Sequence, residues 1–347
     1  MADKWYAVRN SDEIYSPALL VYPQRARANL KLMIEMAGGT DRLRPHVKTH
    51  KASEIIAMQL DAGITKFKVA TFAEAEMVAE AGGSDVLLAY PLVGPSVHRF
   101  LQLLEQWPLT TFSTVGDDPR QLERLSEELS DAGASAEVLL EIDNGLHRTG
   151  IPPGETALET YRKIAALPGL EPGGLHVYDG HVKEQDFQDR VDRVEADMKL
   201  VLEFKNHLEE EGLPVPRIVC GGTPTFPAHA LAEDRECSPG TCVYWDAGYA
   251  AKFPDLKFQP AAVMLTRVIG KPTDGRLCLD LGTKAVSPDN EPRVQLLDAP
   301  DARILVHNEE HLVVETDQAG KFSVGDVRYA VPWHICPTVA VHREVLV

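Results

Sequence analysis

The sequence predicts an α/β protein: a (β/α)8 TIM-like barrel followed by a C-terminal antiparallel β domain. Three observations carry that prediction. Over roughly the first 250 residues, short apolar runs rich in β-branched residues alternate with longer amphipathic segments, the rhythm of repeated β–α units around a parallel sheet. The units number about eight, which suits a closed barrel. Beyond about residue 255 the texture changes to alternating strands broken by Pro, Gly and Asp, the pattern of an antiparallel sheet.

The expected barrel strands are 43–48 (LRPHVK), 66–71 (KFKVAT), 85–90 (DVLLAY), 109–114 (LTTFST), 136–143 (AEVLLEID), 174–179 (GLHVYD), 217–222 (RIVCGG) and a short eighth near 236–243. Between them, 72–81, 118–132 and 186–211 place apolar residues three and four apart and read as outer helices. The later runs AAVMLTRVIG, RLCLDLG, RVQLLD, ARILVHNEEHLVVET and VRYAVPW read as the strands of the β domain. The expected division is an N-terminal segment, 1–20, packing with the β domain, a barrel over 21–252, and the β domain over 253–347, with AKFPDLKF (251–258) at the junction.

The chain has 347 residues, 44% hydrophobic, enough for a large core. Thirty-five Lys and Arg against 52 Asp and Glu give a net charge of −17, which repels nucleic acid and anionic membrane surfaces and makes a small molecule the expected partner. No run of about 18 apolar residues is present to span a membrane. Five cysteines, an odd number widely spread, and no apolar signal segment near Met1 predict a reduced, cytoplasmic protein.

In a barrel of this kind the chemistry sits where strands end. At the end of the first expected strand, RPHVKTHK (44–51) places His46, Lys48 and His50 on alternate positions of a β-run, hence on one side. A lysine desolvated in a barrel mouth loses proton affinity, and its neutral amine can condense with an aldehyde; on pattern alone, a surface lysine at a strand end is the commoner occurrence. GGTPT (221–225) and SPGTC (238–242) follow consecutive late strands and together make a candidate anion nest, although either alone reads as an ordinary turn. Asp143, His147 and Arg148 follow the fifth expected strand, and Tyr178, Asp179 and His181 the sixth, so polar groups gather on one rim. PWHICPT (332–338) sets His334 and Cys336 two apart, on one face if extended. That is a two-ligand edge suited to zinc, against the alternative of a buried Cys beside a satisfied core His.

Taken together, RPHVKTHK, IDNGLHRTG (142–150), GGTPT and PWHICPT, in that order along nearly the whole chain, resemble the D-threonine aldolase and D-serine dehydratase family of pyridoxal-phosphate enzymes. The resemblance implies the alanine-racemase-like architecture, a homodimer, pyridoxal 5'-phosphate and a divalent metal (Zn, Mn or Mg). It implies that Lys48 carries the cofactor while His46 and the other neighbours keep the field cationic, that Arg148 faces the phenolic oxygen, and that Tyr178 lies by the cofactor. It implies that Gly221, Gly222, Thr223, Gly240 and Thr241 hold the phosphate and that His334 and Cys336 hold the metal. A surface ion pair with Asp143 is the alternative for Arg148.

Two positions bear on the reaction. Members with aldolase activity more often carry Asp where Cys336 stands, and dehydratases carry Cys. A His or Cys often follows the strand-six tyrosine where this chain has Asp179, so His181 or Asp179 is expected to act as the base. The flanking text GGTPTFPAH, ECSPGTCVYWDAGY and PWHICPT is most similar to the D-threonine-aldolase-like subgroup. The resemblance thus implies metal-assisted retro-aldol cleavage of a D-β-hydroxy-α-amino acid, D-threonine giving glycine and acetaldehyde. The alternative is dehydration to a 2-oxo acid and ammonia. A non-catalytic cofactor-binding protein is a third reading, opposed by the long C-terminal β region.

Overall fold

In the computed structural model, which describes residues 4–347, the chain forms two compact units, residues 32–240 and residues 4–31 with 241–347. Residues 1–3 of the expected N-terminal segment lie outside the described residues. Strand β1 (Ala18–Val21) opens the regular structure, and the division falls within helix α1 (Pro23–Ala37). There follow α2 (Ser53–Asp61), β2 (Lys66–Val69), α3 (Phe72–Glu80), β3 (Asp85–Leu88), α4 (Pro95–Gln106), β4 (Thr111–Gly116) and α5 (Pro119–Asp131). Then come β5 (Ala136–Ile142), α6 (Glu155–Ala166), β6 (Leu170–Val177), α7 (Phe187–Glu210), β7 (Ile218–Cys220), the single turn α8 (Phe226–His229) and β8 (Arg235–Cys237).

Strands β2 to β8 lie side by side in sequence order as one parallel sheet, the arrangement that consecutive β–α crossovers produce. Leu87, Val115, Leu139 and Val219, from β3, β4, β5 and β7, form a buried cluster in it. The expected strand 43–48 is not a regular strand. Residues 42–46 nonetheless stand between the sheet's two ends: Leu43 bridges Cys237 of β8 and His46 bridges Lys68 of β2. The Arg44 N–H donates to Cys237 O at 2.8 Å and the Lys68 N–H to Pro45 O at 2.9 Å. Pro45 has no N–H, so this stave cannot propagate a full ladder.

Helix starts follow side-chain chemistry. The Asp118 carboxylate accepts the N–H groups of Arg120 and Gln121 at 2.9 and 3.0 Å ahead of Pro119. Asp186 accepts those of Gln188 and Asp189 at 2.8 and 3.1 Å, and Thr71 accepts that of Glu74 at 3.2 Å. Each is an N-cap satisfying amides that the helix itself leaves unbonded.

The second unit contains α9 (Ala247–Lys252), β9 (Ala262–Gly270), β10 (Arg276–Leu279), β11 (Val294–Leu296), β12 (Arg303–His307), β13 (Leu312–Glu315), β14 (Val327–Pro332) and α10 (Ile335–Val339). Its strands run β11-β14-β9-β10-β13-β12, all antiparallel, with β1 added on β9 through Ala18 opposite Leu265 to Val21 opposite Ala262. Tyr6, Leu20, Ala247, Val263, Leu265, Tyr329 and Val331 form one of its buried clusters. PWHICPT is not extended throughout: β14 ends at Pro332, and His334 is the N-cap of α10. The Asp246 carboxylate accepts the Ile335 N–H at 3.1 Å and so starts that helix. No helix among the described residues is long and apolar enough to cross a membrane.

Candidate active site

Lys48 lies not on a strand but on the 3-10 turn Val47–Thr49, because the His46 ring Nδ1 accepts the Lys48 N–H at 3.3 Å and turns the chain just after Pro45. His50 repeats the device, its Nδ1 accepting the Ala52 N–H at 3.3 Å at the start of α2. Burial, reinforced by the charges of Lys48 and Lys68, holds His46 well below its ordinary pKa, and burial takes His50 down to about 3. Both rings are therefore neutral acceptors at pH 7. Arg44, fully buried, is bidentate to Asp85 at 2.6 and 2.9 Å and donates through Nε to Glu236 at 2.8 Å; Lys51 pairs with Glu74. The cationic field expected from RPHVKTHK is thus largely cancelled within the fold, since two of its bases meet carboxylates and two rings carry no charge.

The cationic surroundings come from elsewhere. Tyr178, just past β6, has the Lys48 Nζ 5.9 Å, the Lys68 Nζ 5.8 Å and the Arg148 guanidinium carbon 4.8 Å from its ring centroid, within the reach at which cations interact with a ring face. Asp143, the alternative partner of Arg148, instead accepts from the Gly145 N–H (3.0 Å), the His147 N–H (2.9 Å) and His147 Nδ1 (2.8 Å).

Lys68, Glu141 and His176 are functional candidates that the sequence analysis missed. They come from β2, β5 and β6, and all three are buried. The Lys68 Nζ is 3.3 Å from His176 Nε2, and His176 Nδ1 is 2.5 Å from a Glu141 carboxylate oxygen. Burial, then the charge of Lys48, takes the Lys68 amine down to about 7 against the pull of Glu141. Burial acts to raise the Glu141 carboxyl, but His176 and Lys68 hold it below its ordinary value. The available signal was an ionisable residue inside each of three apolar runs, KFKV, VLLEI and GLHV.

Asp179 is buried and saturated. Its two oxygens meet Thr225 Oγ1 and His229 Nε2, both at 2.7 Å. Burial acts to raise its pKa, yet His229 and Thr225 hold it below the ordinary carboxylate value. His181 differs: its Nε2 is 2.9 Å from Asp197, while its buried Nδ1 has no hydrogen-bond partner among the described residues.

The late loops join the Lys48 turn. Gly240 N–H donates to Thr223 Oγ1 at 3.1 Å, and His46 N–H to Pro239 O at 2.9 Å. Gly221 N–H donates to Val177 O at 2.9 Å and Gly222 N–H to Thr225 Oγ1 at 3.2 Å, so these amides do not form the bare nest expected from GGTPT. The glycines serve close approach: a Cβ on Gly221 would lie 2.6 Å from the His229 ring, and one on Gly222 3.1 Å from the Tyr178 ring. Gly221 also needs its positive φ of 69°.

In the second unit the Thr241 Oγ1 is 3.6 Å from Cys336 Sγ, and His334 hydrogen-bonds to Cys336. His334 Nδ1 is 2.5 Å from Asp289. His334 and Cys336 therefore adjoin, through a helix start rather than a strand. Among the described residues no three His, Cys, Asp or Glu side chains form a group that could hold a metal ion.

Comparison with known proteins adds to this geometry. The family described as alanine racemase, N-terminal domain, matches residues 21–247, and a putative serine dehydratase domain matches 261–347. A D-threonine aldolase of Arthrobacter sp. is 29% identical over 340 residues, covering 96% of this chain and 88% of that relative. A D-threo-3-hydroxyaspartate dehydratase of Delftia sp. strain HT23 is 27% identical over 354 residues, covering 94% and 92%. The crystal structure of D-threonine aldolase from Filomicrobium marinum superposes with a TM-score of 0.90 at 28% identity, covering 96% of this chain and 91% of that one.

Proposed function

The chain belongs to the alanine racemase N-terminal domain family, and from that premise we propose that it is a pyridoxal-phosphate-dependent lyase cleaving D-β-hydroxy-α-amino acids, D-threonine to glycine and acetaldehyde. The observation that carries this reading is the grouping of Lys48, Lys68 and Arg148 around the Tyr178 ring. An amine, a guanidinium and an aromatic face suit an aldehyde-bearing, anionic aromatic cofactor. The relatives' printed activities, one an aldolase and one a dehydratase of hydroxy amino acids, give the substrate class.

The chain's residues fit that cofactor. The bare Gly222 leaves the Tyr178 ring edge uncrowded, and Gly240 is bonded to Thr223 beside the Lys48 turn. Lys48 would hold the aldehyde carbon, Arg148 the phenolic oxygen, and the Thr223 and Thr241 hydroxyls the phosphate, with Gly221, Gly222 and Gly240, whose amides are bonded within the fold, shaping the loops around it. His46 acts as a neutral cap that positions Lys48. When bound, pyridoxal phosphate supplies the electron sink for the pair released as the Cα–Cβ bond breaks.

Proton removal from the β-hydroxyl is assigned to His181. With its Nε2 proton directed at Asp197, the lone pair lies on Nδ1, the atom without an internal partner. Asp179, expected as an alternative base, is committed to His229 and Thr225 and serves to fix the loop. His334 and Cys336 are the proposed metal donors, with Asp289 orienting the His334 ring. They supply two positions, so water or substrate would complete the shell.

Dehydration is the second reading, supported by Cys336. Incubating the purified enzyme with D-threonine separates the two: acetaldehyde with glycine is expected, and 2-oxobutanoate with ammonia as the main products would reverse the assignment. Lys48→Ala is expected to be colourless and at least about 1000-fold less active. Exhaustive chelation is expected to abolish turnover while leaving the colour. We also propose that the protein is cytoplasmic and works as a homodimer, which light scattering in solution tests.

A further inference from the structure

The proposed base meets helix α7 at the ring nitrogen that the reaction leaves alone. His181 Nε2 is 2.9 Å from Asp197 Oδ2, and the Arg193 Nε donates to that same oxygen, also at 2.9 Å. Arg193 and Asp197 are four residues apart on α7, the spacing that brings side chains together. The His181 and Asp197 side chains are only 16% and 14% exposed, against 46% for Arg193, so the His–Asp bond is sheltered while the arginine's influence is partly screened. Backbone fixes the ring from its other neighbours. A Cβ on Gly145 would lie 3.0 Å from His181 Nε2, and one on Gly180 2.7 Å from the Tyr178 ring. His181 is thus held between the 143–150 loop and α7, directly after the glycine that skirts Tyr178.

A neutral imidazole has two tautomers, and only one leaves Nδ1 able to accept a proton. The ionised Asp197 carboxylate, which can only accept, selects the tautomer protonated at Nε2. On taking the β-hydroxyl proton at Nδ1 the ring becomes a cation that still donates to Asp197, and it resets by losing one proton to water. The carboxylate that orients the ring therefore also stabilises this cation. Unopposed, it would keep the ring protonated and unable to act as a base. The Arg193 guanidinium, drawing on the same oxygen, offsets part of that pull.

We infer that Asp197 is the positioning residue of the His181 base, and that Arg193, by sharing Asp197 Oδ2, sets how firmly the ring holds its proton. The inference rests on His181 being the base of the reaction proposed above. The other charged groups around the ring are engaged elsewhere. On the same loop, Asp179 is bonded to Thr225 and His229, and Glu184 accepts the Lys183 N–H at 2.8 Å and acts on Arg193. On the loop across the ring, Asp143 is closed on Gly145 and His147, and Arg148 lies over Tyr178.

The test uses the cofactor-loaded, full-length protein with isotopically labelled histidine, taking as His181 the imidazole nitrogen signals that vanish in His181→Gln. The wild-type spectra should place the neutral ring's proton on Nε2. Asp197→Asn should lower the midpoint of the ring's titration by at least about one pH unit, whereas Arg193→Gln should raise it by about half a unit. The acidic limb of kcat for D-threonine cleavage should follow each midpoint, in opposite directions. Asp197→Asn should also lose about 100-fold or more in kcat, with KM changed far less. A merely structural contact would lower stability in these variants without moving the two midpoints apart. Midpoints that stay put, or that move in the same direction, overturn the inference. Midpoints that separate as expected while His181→Gln keeps full turnover, or while the wild type fails to cleave D-threonine, refute instead the base or the reaction assigned above.

Discussion

Asp179 shows how a residue's partners decide its role. As the neighbour of Tyr178 it stood in the sequence as a possible base, but its oxygens face Thr225 and His229 inside the protein. Asp179→Asn should therefore act on stability first, since it leaves the fully buried His229 without its anionic partner; a loss of about 3 kcal/mol in urea unfolding is expected. A variant as stable as wild type but inactive would return the residue to the role of base. Lys48, Arg148 and Tyr178 were singled out because their motifs stand out, and the structure brings the first two to the ring of the third. Lys68 was not, since a lysine in KFKVAT reads as an outward strand position until β2, β5 and β6 are laid side by side. The neutrality of His46 and His50 was likewise hidden, because it follows from burial and from the amides each ring caps.

At the scale of elements, the helices were the most legible part. α5 and α7 lie within a residue of 118–132 and 186–211 because an Asp caps each at the expected place. Asp118→Ala or Asp186→Ala should each cost about 1 kcal/mol of stability, read from urea unfolding, without altering the visible spectrum of the cofactor-bound protein. The first barrel strand was misread because alternation was followed through Pro45, where the ladder cannot continue. PWHICPT was read for the two-residue spacing of His334 and Cys336, which shares a face only in an extended chain; the Asp246 carboxylate that starts α10 instead is about 90 positions away in sequence.

For the molecule as a whole, a buried amine links site chemistry to stability. Lys68 titrates near 7 in the fold against an ordinary 10.5. The unfolded chain thus binds more protons between those values, and the contribution of Lys68 to stability rises with pH across that window and is poorest below pH 7. Replacing it by Met should stabilise the cofactor-free protein at pH 7 by several kcal/mol, on the order of 4. It should also flatten the rise in stability between pH 7 and 10, measured by urea unfolding at each pH. A less stable Lys68→Met protein would show that the lysine is folded in without penalty. The alternation of barrel and β domain was legible at this scale from texture, and an N-terminal segment over 1–20 was expected beside the β domain; in the structure residues 4–31 fall in that unit, where β1 pairs with β9, a contact between distant stretches.

That pairing has a consequence for synthesis. Leu19, Leu20 and Val21 are almost wholly shielded in the finished protein, yet the strand they pair with is translated roughly 240 residues later. At ~5–20 residues per second that delay is roughly 10 to 50 seconds, during which an apolar, unpartnered edge is on offer to any other chain. Nascent copies should therefore be most prone to sticking together, and most dependent on chaperones, before the ribosome reaches Ala262.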